Sequence, residues 1–279
     1  MAAEKVGASA RSVPPSQVLQ AYGLQGAPVP LMGGQGASWL VGQAVLKPLD
    51  VDPAQVQWQG ALLTRLSVEA DFRVSVPLRT RAGTWTAHGW AAWRYEPGAH
   101  APGRWHEIIA VGQHLHAALE REPEPAFLSA RTDRWAIADR IAWGELPAAG
   151  HAVTHSLETL FAALRPLHLR RQLVHGDLTG NVLFHPDKPP LIIDLSAYWR
   201  PPAFASAVVV VVADAMVYDG AGQETVEPLL QEPGFLQCLL RALIFRAVTD
   251  QLARPPRSTS APDPYWPATQ VATRLIRRA

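Results

Sequence analysis

The stretch LVHGDLTGNVLFHPDKPPLIIDLS, residues 173–196, restricts the possible folds of this chain more than any other part of it. Two apolar runs, Val182-Leu183-Phe184 and Leu191-Ile192-Ile193, flank Pro186-Asp187-Lys188-Pro189, a pattern that predicts a short hairpin with buried arms. Polar groups stand just outside the arms: Asp177 and Asn181 before the first, Asp194 after the second. A carboxylate beside a buried strand is costly unless it is paired or faces a cleft. The outer ends of two hairpin arms converge, so Asn181 and Asp194 are expected side by side although thirteen positions apart. Asp177, four residues before Asn181, is then expected to face a substrate.

Upstream, APVPLMGGQGASWLVGQAVLKPLD predicts a strand, a Gly-rich turn, a second strand through Trp39-Leu40-Val41, a turn at Gly42-Gln43 and a third strand ending at Lys47. Val56, Ala61, Leu62 and Leu66 recur at helical spacing and predict a helix over residues 53–66, followed by strands near 72–76 and 85–93. After the Pro/Gly-rich connector RYEPGAHAPGRW the pattern turns mainly helical: 105–119, 129–142, 153–164, then, beyond the hairpin, 205–218, 227–232, 235–253 and 268–278. The expected organisation is an N-terminal mobile segment (1–15), a strand-rich front part (16–96) and a helical back part carrying the hairpin (97–279).

A Gly-rich turn between strands, a lysine on the next strand, and Asp, Asn and Asp far downstream are the parts that phosphoryl transfer from a nucleotide needs, since that chemistry is mostly positioning and charge neutralisation. Backbone N–H groups of a Gly-rich loop approach phosphates closely, and a lysine supplies a point charge. Oxygen ligands hold Mg²⁺, and a carboxylate orients the accepting hydroxyl. Taken alone, Gly33, Gly34 and Gly36 read equally as an ordinary hairpin loop or a phosphate cradle, and Lys47 also reads as a solvated strand residue; their order along the chain favours the cradle.

HGDLTGNVLF followed by LIIDLS resembles the His-Gly-Asp-x-x-x-x-Asn loop and metal-binding Asp of the aminoglycoside phosphotransferase and choline kinase-like families, which share the protein-kinase-like fold. GGQGASW and SAYWRP most resemble an actinobacterial group within that superfamily. The resemblance implies an α+β, bilobal fold with a small antiparallel sheet lobe and a larger, mainly helical lobe. It implies ATP and Mg²⁺ as cofactors, Asp177 as catalytic base or hydroxyl-orienting group, and Asn181 and Asp194 as metal ligands. Lys47 becomes the phosphate-binding lysine, Gly33, Gly34, Gln35, Gly36, Ala37 and Ser38 the nucleotide-covering loop, and His175 a support of the catalytic loop. One departure stands out: in PAQVQWQGALLTRL the helix that usually pairs the lysine with a glutamate has none, so Lys47 is held differently or Glu69 or Asp71 approaches it.

The expected activity is an ATP-dependent O-phosphotransferase acting on a small hydroxylated molecule, with Tyr198, Trp199 and Arg200 as candidate acceptor contacts; the alternative is a nucleotide-binding regulatory module with little turnover. Twenty-five Lys and Arg against twenty-four Asp and Glu give no bulk bias toward nucleic acid or anionic membrane. A single cysteine, Cys238 in an apolar run, predicts a packed thiol. The opening residues lack an apolar signal-like run, and the valine run 207–217 is short and broken by Asp214, so a cytoplasmic location without membrane contact is expected.

Overall fold

The structure is a computed structural model that describes residues 12–31, 37–67, 69–148, 154–208, 226–253 and 263–278. Two compact units result: one reaches from the N-terminal side to His100 and takes in Leu183–Asp194, the other comprises Ala101–Val182 and the chain from Leu195 onward.

The first unit is built on an antiparallel sheet. Its strands are β1 (Val29–Pro30), β2 (Trp39–Val41), β3 (Ala44–Pro48), β5 (Thr86–Ala87) and β6 (Trp90–Arg94), in the order β1-β2-β3-β6-β5. The predicted turn at Gly42-Gln43 joins β2 to β3, with Gly42 at φ 58°. His88 and Gly89 both have positive φ (52° and 75°) between β5 and β6, the pair of conformations a two-residue hairpin of matching twist requires. Helix α1 (Ser16–Tyr22) covers one face, where Val18 and Tyr22 pack with Trp39, Val41, Leu46, Trp90 and Ala92. The Tyr22 hydroxyl reaches inward and donates to the carbonyls of Trp85 (2.9 Å) and Trp90 (3.2 Å), so the buried phenol is satisfied.

Helix α2 (Pro53–Leu66) has the predicted bounds for a local reason: Pro53 opens it and the Asp52 carboxylate accepts from Ala54 N–H (2.7 Å). The hairpin β8 (Val182–His185) and β9 (Lys188–Ile192) has a tighter turn than expected, because Lys188 and Pro189 enter the second arm. The hairpin residues 183–194, expected with the helical part, group instead with the first unit. The cause is a parallel pairing of β9 with β4 (Arg73–Val74), with Arg73 opposite Leu191 and Val74 opposite Ile192. Arg73 reinforces it by donating to Pro189 O (2.9 Å) and Pro97 O (3.0 Å) and pairing with Glu96 (3.1 Å).

The second unit is mainly helical: α3 (Trp105–Ala118), α4 (Phe127–Ala130), α5 (Arg134–Ala142), α6 (His155–Ala163), α7 (Pro202–Ser206), a 3-10 turn (Glu227–Gln231), α8 (Phe235–Ala253) and α9 (Trp266–Arg278). Helix α8 is buried nearly all round, Arg241 and Thr249 included, and packs against α5, α6, α7 and α9. The single helix predicted over 129–142 is broken: Asp133 turns extended, and its carboxylate caps α5 by accepting from Trp135 N–H (3.1 Å) and Ala136 N–H (3.0 Å). Two strands were absent from the sequence expectation, β7 (Gln172–His175) and β10 (Ala197–Arg200), which pair antiparallel with His175 opposite Ala197. Each has four residues, and β7 is buried throughout, so neither carries the alternation that marks a strand. The helix expected over 205–218 is described only at its start, in α7; Asp214 lies outside the described residues.

Candidate active site

The candidate residues divide between the units. In the first, Lys47 sits on β3 opposite Ala91 of β6, its ammonium 5.6 Å from the centroid of the Trp93 ring. Its Nζ forms an ion pair with Asp194, which follows β9. Lys47 therefore takes its counter-charge from the end of the hairpin, which settles how it is held without a helix glutamate. Asp194 adopts φ 50°, a left-handed conformation that a short polar residue tolerates better than most. Of the nucleotide-covering candidates, Gly33, Gly34, Gln35 and Gly36 lie outside the described residues; Ala37 and Ser38 lead into β2, and Ser38 O accepts from Leu31 N–H (2.9 Å). Trp90 is a core residue of this sheet.

In the second unit β7 delivers His175 and then Asp177. The loop after β7 is fixed through its backbone. Gly176 N–H donates to Ser196 O (2.9 Å), Asp177 N–H to Nδ1 of His175 (3.1 Å), and Asn181 N–H to Leu178 O (2.9 Å). A side chain at Gly176 is excluded, since its Cβ would stand 2.4 Å from the Tyr198 ring. Gly180, at φ 73°, closes the turn. The Asn181 amide nitrogen donates to Asp177 O (2.7 Å) and to Asp177 Oδ2 (3.2 Å), an arrangement that directs the amide oxygen away from Asp177 as a hard donor. His175 is fully buried.

Behind the loop lies a buried charged network. Arg200 binds Asp139 through two hydrogen bonds (3.0 and 2.6 Å) and Glu145 through two more (2.7 and 2.9 Å), and Arg171 also reaches Glu145 (2.9 Å). Burial alone would raise the Glu145 carboxyl, but the hydrogen bonds and charges of Arg200 and Arg171 hold it below the ordinary carboxylate range. Tyr198 is buried against Phe245 and under the Arg131 guanidinium, and burial drives its phenol well above the usual value. Tyr198 and Arg200, expected to line an acceptor pocket, are thus packing and tethering groups of β10. Arginines 171, 200 and 241 all lie within 5.3 Å of the Trp143 ring centroid. Cys238 is buried, its thiol pushed up to about 12 by burial, and is inert as a nucleophile at neutral pH.

Taken one by one, the candidate residues have the chemistry that Mg²⁺ and a nucleotide would need. Asp194 and Asn181 offer the carboxylate and amide oxygens that Mg²⁺ accepts, and Mg²⁺ characteristically takes one or two protein ligands and completes its shell with phosphates and water. Lys47 is a point charge on a strand, a quarter exposed, and its counter-ion is nearly half exposed. His116 is not among the residues the sequence assigns to the site. It lies on the buried face of α3 with Ile108, Ile109, Val111, Gly112 and Leu115.

Comparison with solved structures defines the class first. An amicoumacin kinase in complex with AMP-PNP and Ca²⁺ is 13% identical, with a TM-score of 0.57 over 95% of this chain and 92% of its own. A spectinomycin phosphotransferase in complex with ADP and spectinomycin is 12% identical, with a TM-score of 0.54 over 93% and 92%. An aminoglycoside phosphotransferase from Alicyclobacillus acidocaldarius is 14% identical, with a TM-score of 0.54 over 97% and 95%. At these identities the likeness is one of fold, and the fold is the protein-kinase-like α+β fold expected from the motif. The family follows from the sequence itself: the model of the phosphotransferase enzyme family matches residues 32–236, and the chain belongs to that family. No curated protein matches the chain.

Proposed function

We propose that this phosphotransferase moves the γ-phosphoryl group of ATP, bound with Mg²⁺, to the hydroxyl of a small molecule. The observation that carries this reading is the fixed loop from His175 to Asn181, in which backbone hydrogen bonds hold Asp177 and Asp177 in turn orients Asn181. When bound, Mg²⁺ and the nucleotide supply charge neutralisation at the phosphates and the group to be transferred. The chain's own parts do the rest. Lys47 contributes positive charge to the α- and β-phosphates, and Asp194 and Asn181 contribute oxygen ligands. Asp177 accepts a hydrogen bond from the acceptor hydroxyl, aligns it, and takes its proton as the oxygen attacks. Residues 33–38 serve as the loop over the phosphates.

A nucleotide-binding module with little turnover was the alternative, motivated by the missing helix glutamate. Lys47 finds its counter-charge in Asp194 instead, and no observation favours that alternative. An amicoumacin kinase and a spectinomycin phosphotransferase share the fold, and the small-molecule ligand bound to the latter supports a small hydroxylated acceptor here. We further propose a cytoplasmic location, in keeping with one buried cysteine. Among the described residues no helix is long and apolar enough to cross a membrane.

The test is thermal unfolding of wild type and Asp194→Ala with Mg²⁺ alone, Mg-ATP and Mg-GTP, followed by a screen of hydroxylated acceptors with the nucleotide that binds. A specific ligand at a hundred times its dissociation constant adds about 2.7 kcal/mol, so wild type should shift with Mg-ATP and Asp194→Ala should lose most of that shift. Absence of any shift in wild type with either nucleotide would overturn the proposal.

A further inference from the structure

The catalytic loop carries a support that lies outside its own motif. Helix α3 presents Gly112 and His116, one turn apart, on one buried face. Gly112 receives the loop directly: a Cβ there would stand 2.5 Å from Leu178 Cδ1, so the bare backbone lets Leu178, the residue after Asp177, seat against the helix without shifting its side chain. His116 grips the strand that leads into the loop at two points. Its carbonyl accepts from the Gln172 side chain (2.6 Å) at the start of β7, and its ring Nε2 accepts from the backbone N–H of His175 (3.2 Å) at the end. Nδ1 of His175 then accepts from Asp177 N–H (3.1 Å). Both imidazoles act as acceptors, which assigns the His116 proton to Nδ1 and the His175 proton to Nε2. Burial, then the neighbouring His175, push His116 down to about 3, so the acceptor is retained across the physiological range.

We propose that His116 is a positioning residue for phosphoryl transfer: through His175 it sets the backbone position of Asp177 from helix α3. The inference rests on the phosphotransferase reading for its link to turnover, and on the two-histidine relay for its link to structure. A group that acts this way changes the rate of the chemical step and leaves nucleotide affinity alone, because misplacing a reacting group by about 1 Å costs on the order of 10²-fold.

The experiment uses the full chain and two variants. His116→Leu fills much of the volume and removes the acceptor; His116→Gln keeps a carbonyl oxygen near the position of Nε2. Amide hydrogen exchange is followed in peptides covering residues 173–179 and, as an internal reference, 235–253. Mg-ATP turnover is measured with water as the acceptor, giving kcat and KM separately. The expected result is exchange at least about tenfold faster at 173–179 in His116→Leu, with 235–253 unchanged and His116→Gln close to wild type. Turnover in His116→Leu should fall about 10- to 100-fold in kcat with KM for ATP within about twofold. Exchange that is unchanged in His116→Leu, or raised alike in both segments, overturns the proposal, as does a His116→Gln variant no better than His116→Leu. Should His116→Leu not fold, the exchange and kcat of His116→Gln decide: values near wild type uphold the acceptor role, and losses refute it. A wild type without turnover would count against the phosphotransferase reading, while the exchange comparison would still decide the role of His116.

Discussion

The candidate residues of the first unit and those of the second are held in contrasting ways. Lys47 and Asp194, in the first unit, meet through one ion pair whose partners are a quarter and nearly half exposed. Such a pair is screened by solvent and contributes at most about 1 kcal/mol. Asp177, in the second unit, stands on a loop whose backbone N–H groups at Gly176, Asp177 and Asn181 are all bonded, the last two to the buried residues His175 and Leu178. The contrast matches the tasks proposed above. Charges proposed to bind phosphate and metal would have to release one partner to take another, and a weak, exposed pair suits that. A group proposed to align a hydroxyl would have to be in place already, because orientation achieved before the reaction lowers the barrier.

The contrast can be broken from either side, and the largest effect is expected at the aligned group. Asp177→Asn keeps the acceptor for Asn181 but removes the proton acceptor. Turnover should fall about 10² to 10⁴-fold while nucleotide affinity, measured by calorimetry, stays within about twofold. A loss of affinity equal to the loss of rate would show that Asp177 binds rather than aligns.

Arg200→Met tests the network behind the loop. Removing one partner of a buried ion pair leaves Asp139 uncompensated, and a loss of about 3 to 5 kcal/mol in denaturant unfolding is expected. The same variant has a pH signature. Glu145, ordinarily 4.5, is held lower in the folded chain, so the stability it supplies is complete above that value and is lost as pH falls through its folded value. Wild type should therefore lose stability below about pH 4.5 more steeply than Arg200→Met. Equal slopes would remove Glu145 from the account.

Gly176→Ala is expected to be costly because Tyr198 cannot yield: its ring is packed edge-on to Phe245 (5.9 Å between centroids) and lies under Arg131. Overpacking of this kind costs about 1 to 3 kcal/mol, read as a fall in thermal midpoint. The smallest effect belongs to the exposed half. Lys47→Met should change folding stability by less than about 1 kcal/mol, yet weaken Mg-ATP binding in the same thermal-shift assay. A large stability loss would mean that the Lys47–Asp194 pair is a structural strut and not an exchangeable one.

Much of this was legible in the chain. The bounds of α2 follow from Asp52 and Pro53, and the extent of α8 follows from an unbroken apolar run, since caps and periodicity act over a few residues. The hairpin and the polar residues at its ends were visible for the same reason. Helix 129–142 misled because Asp133, a plausible helix residue by pattern, competes for the backbone as a cap. Tyr198 and Arg200 misled because an aromatic and a cation near a catalytic motif look like ligand contacts until their buried partners are known.

The sequence by itself determined the order of chemical groups, the hairpin, most helices and the family, because each is written in spacings of a few residues or in one contiguous motif. Only the tertiary structure decided which groups meet. The partner of Lys47 lies 147 positions away and the support of His175 lies 59 positions away. The pairing of β7 with β10 spans the whole hairpin. Local periodicity records that a side chain must be buried or satisfied; which distant group satisfies it depends on how packed elements bring their faces together, and no short window of sequence contains that information.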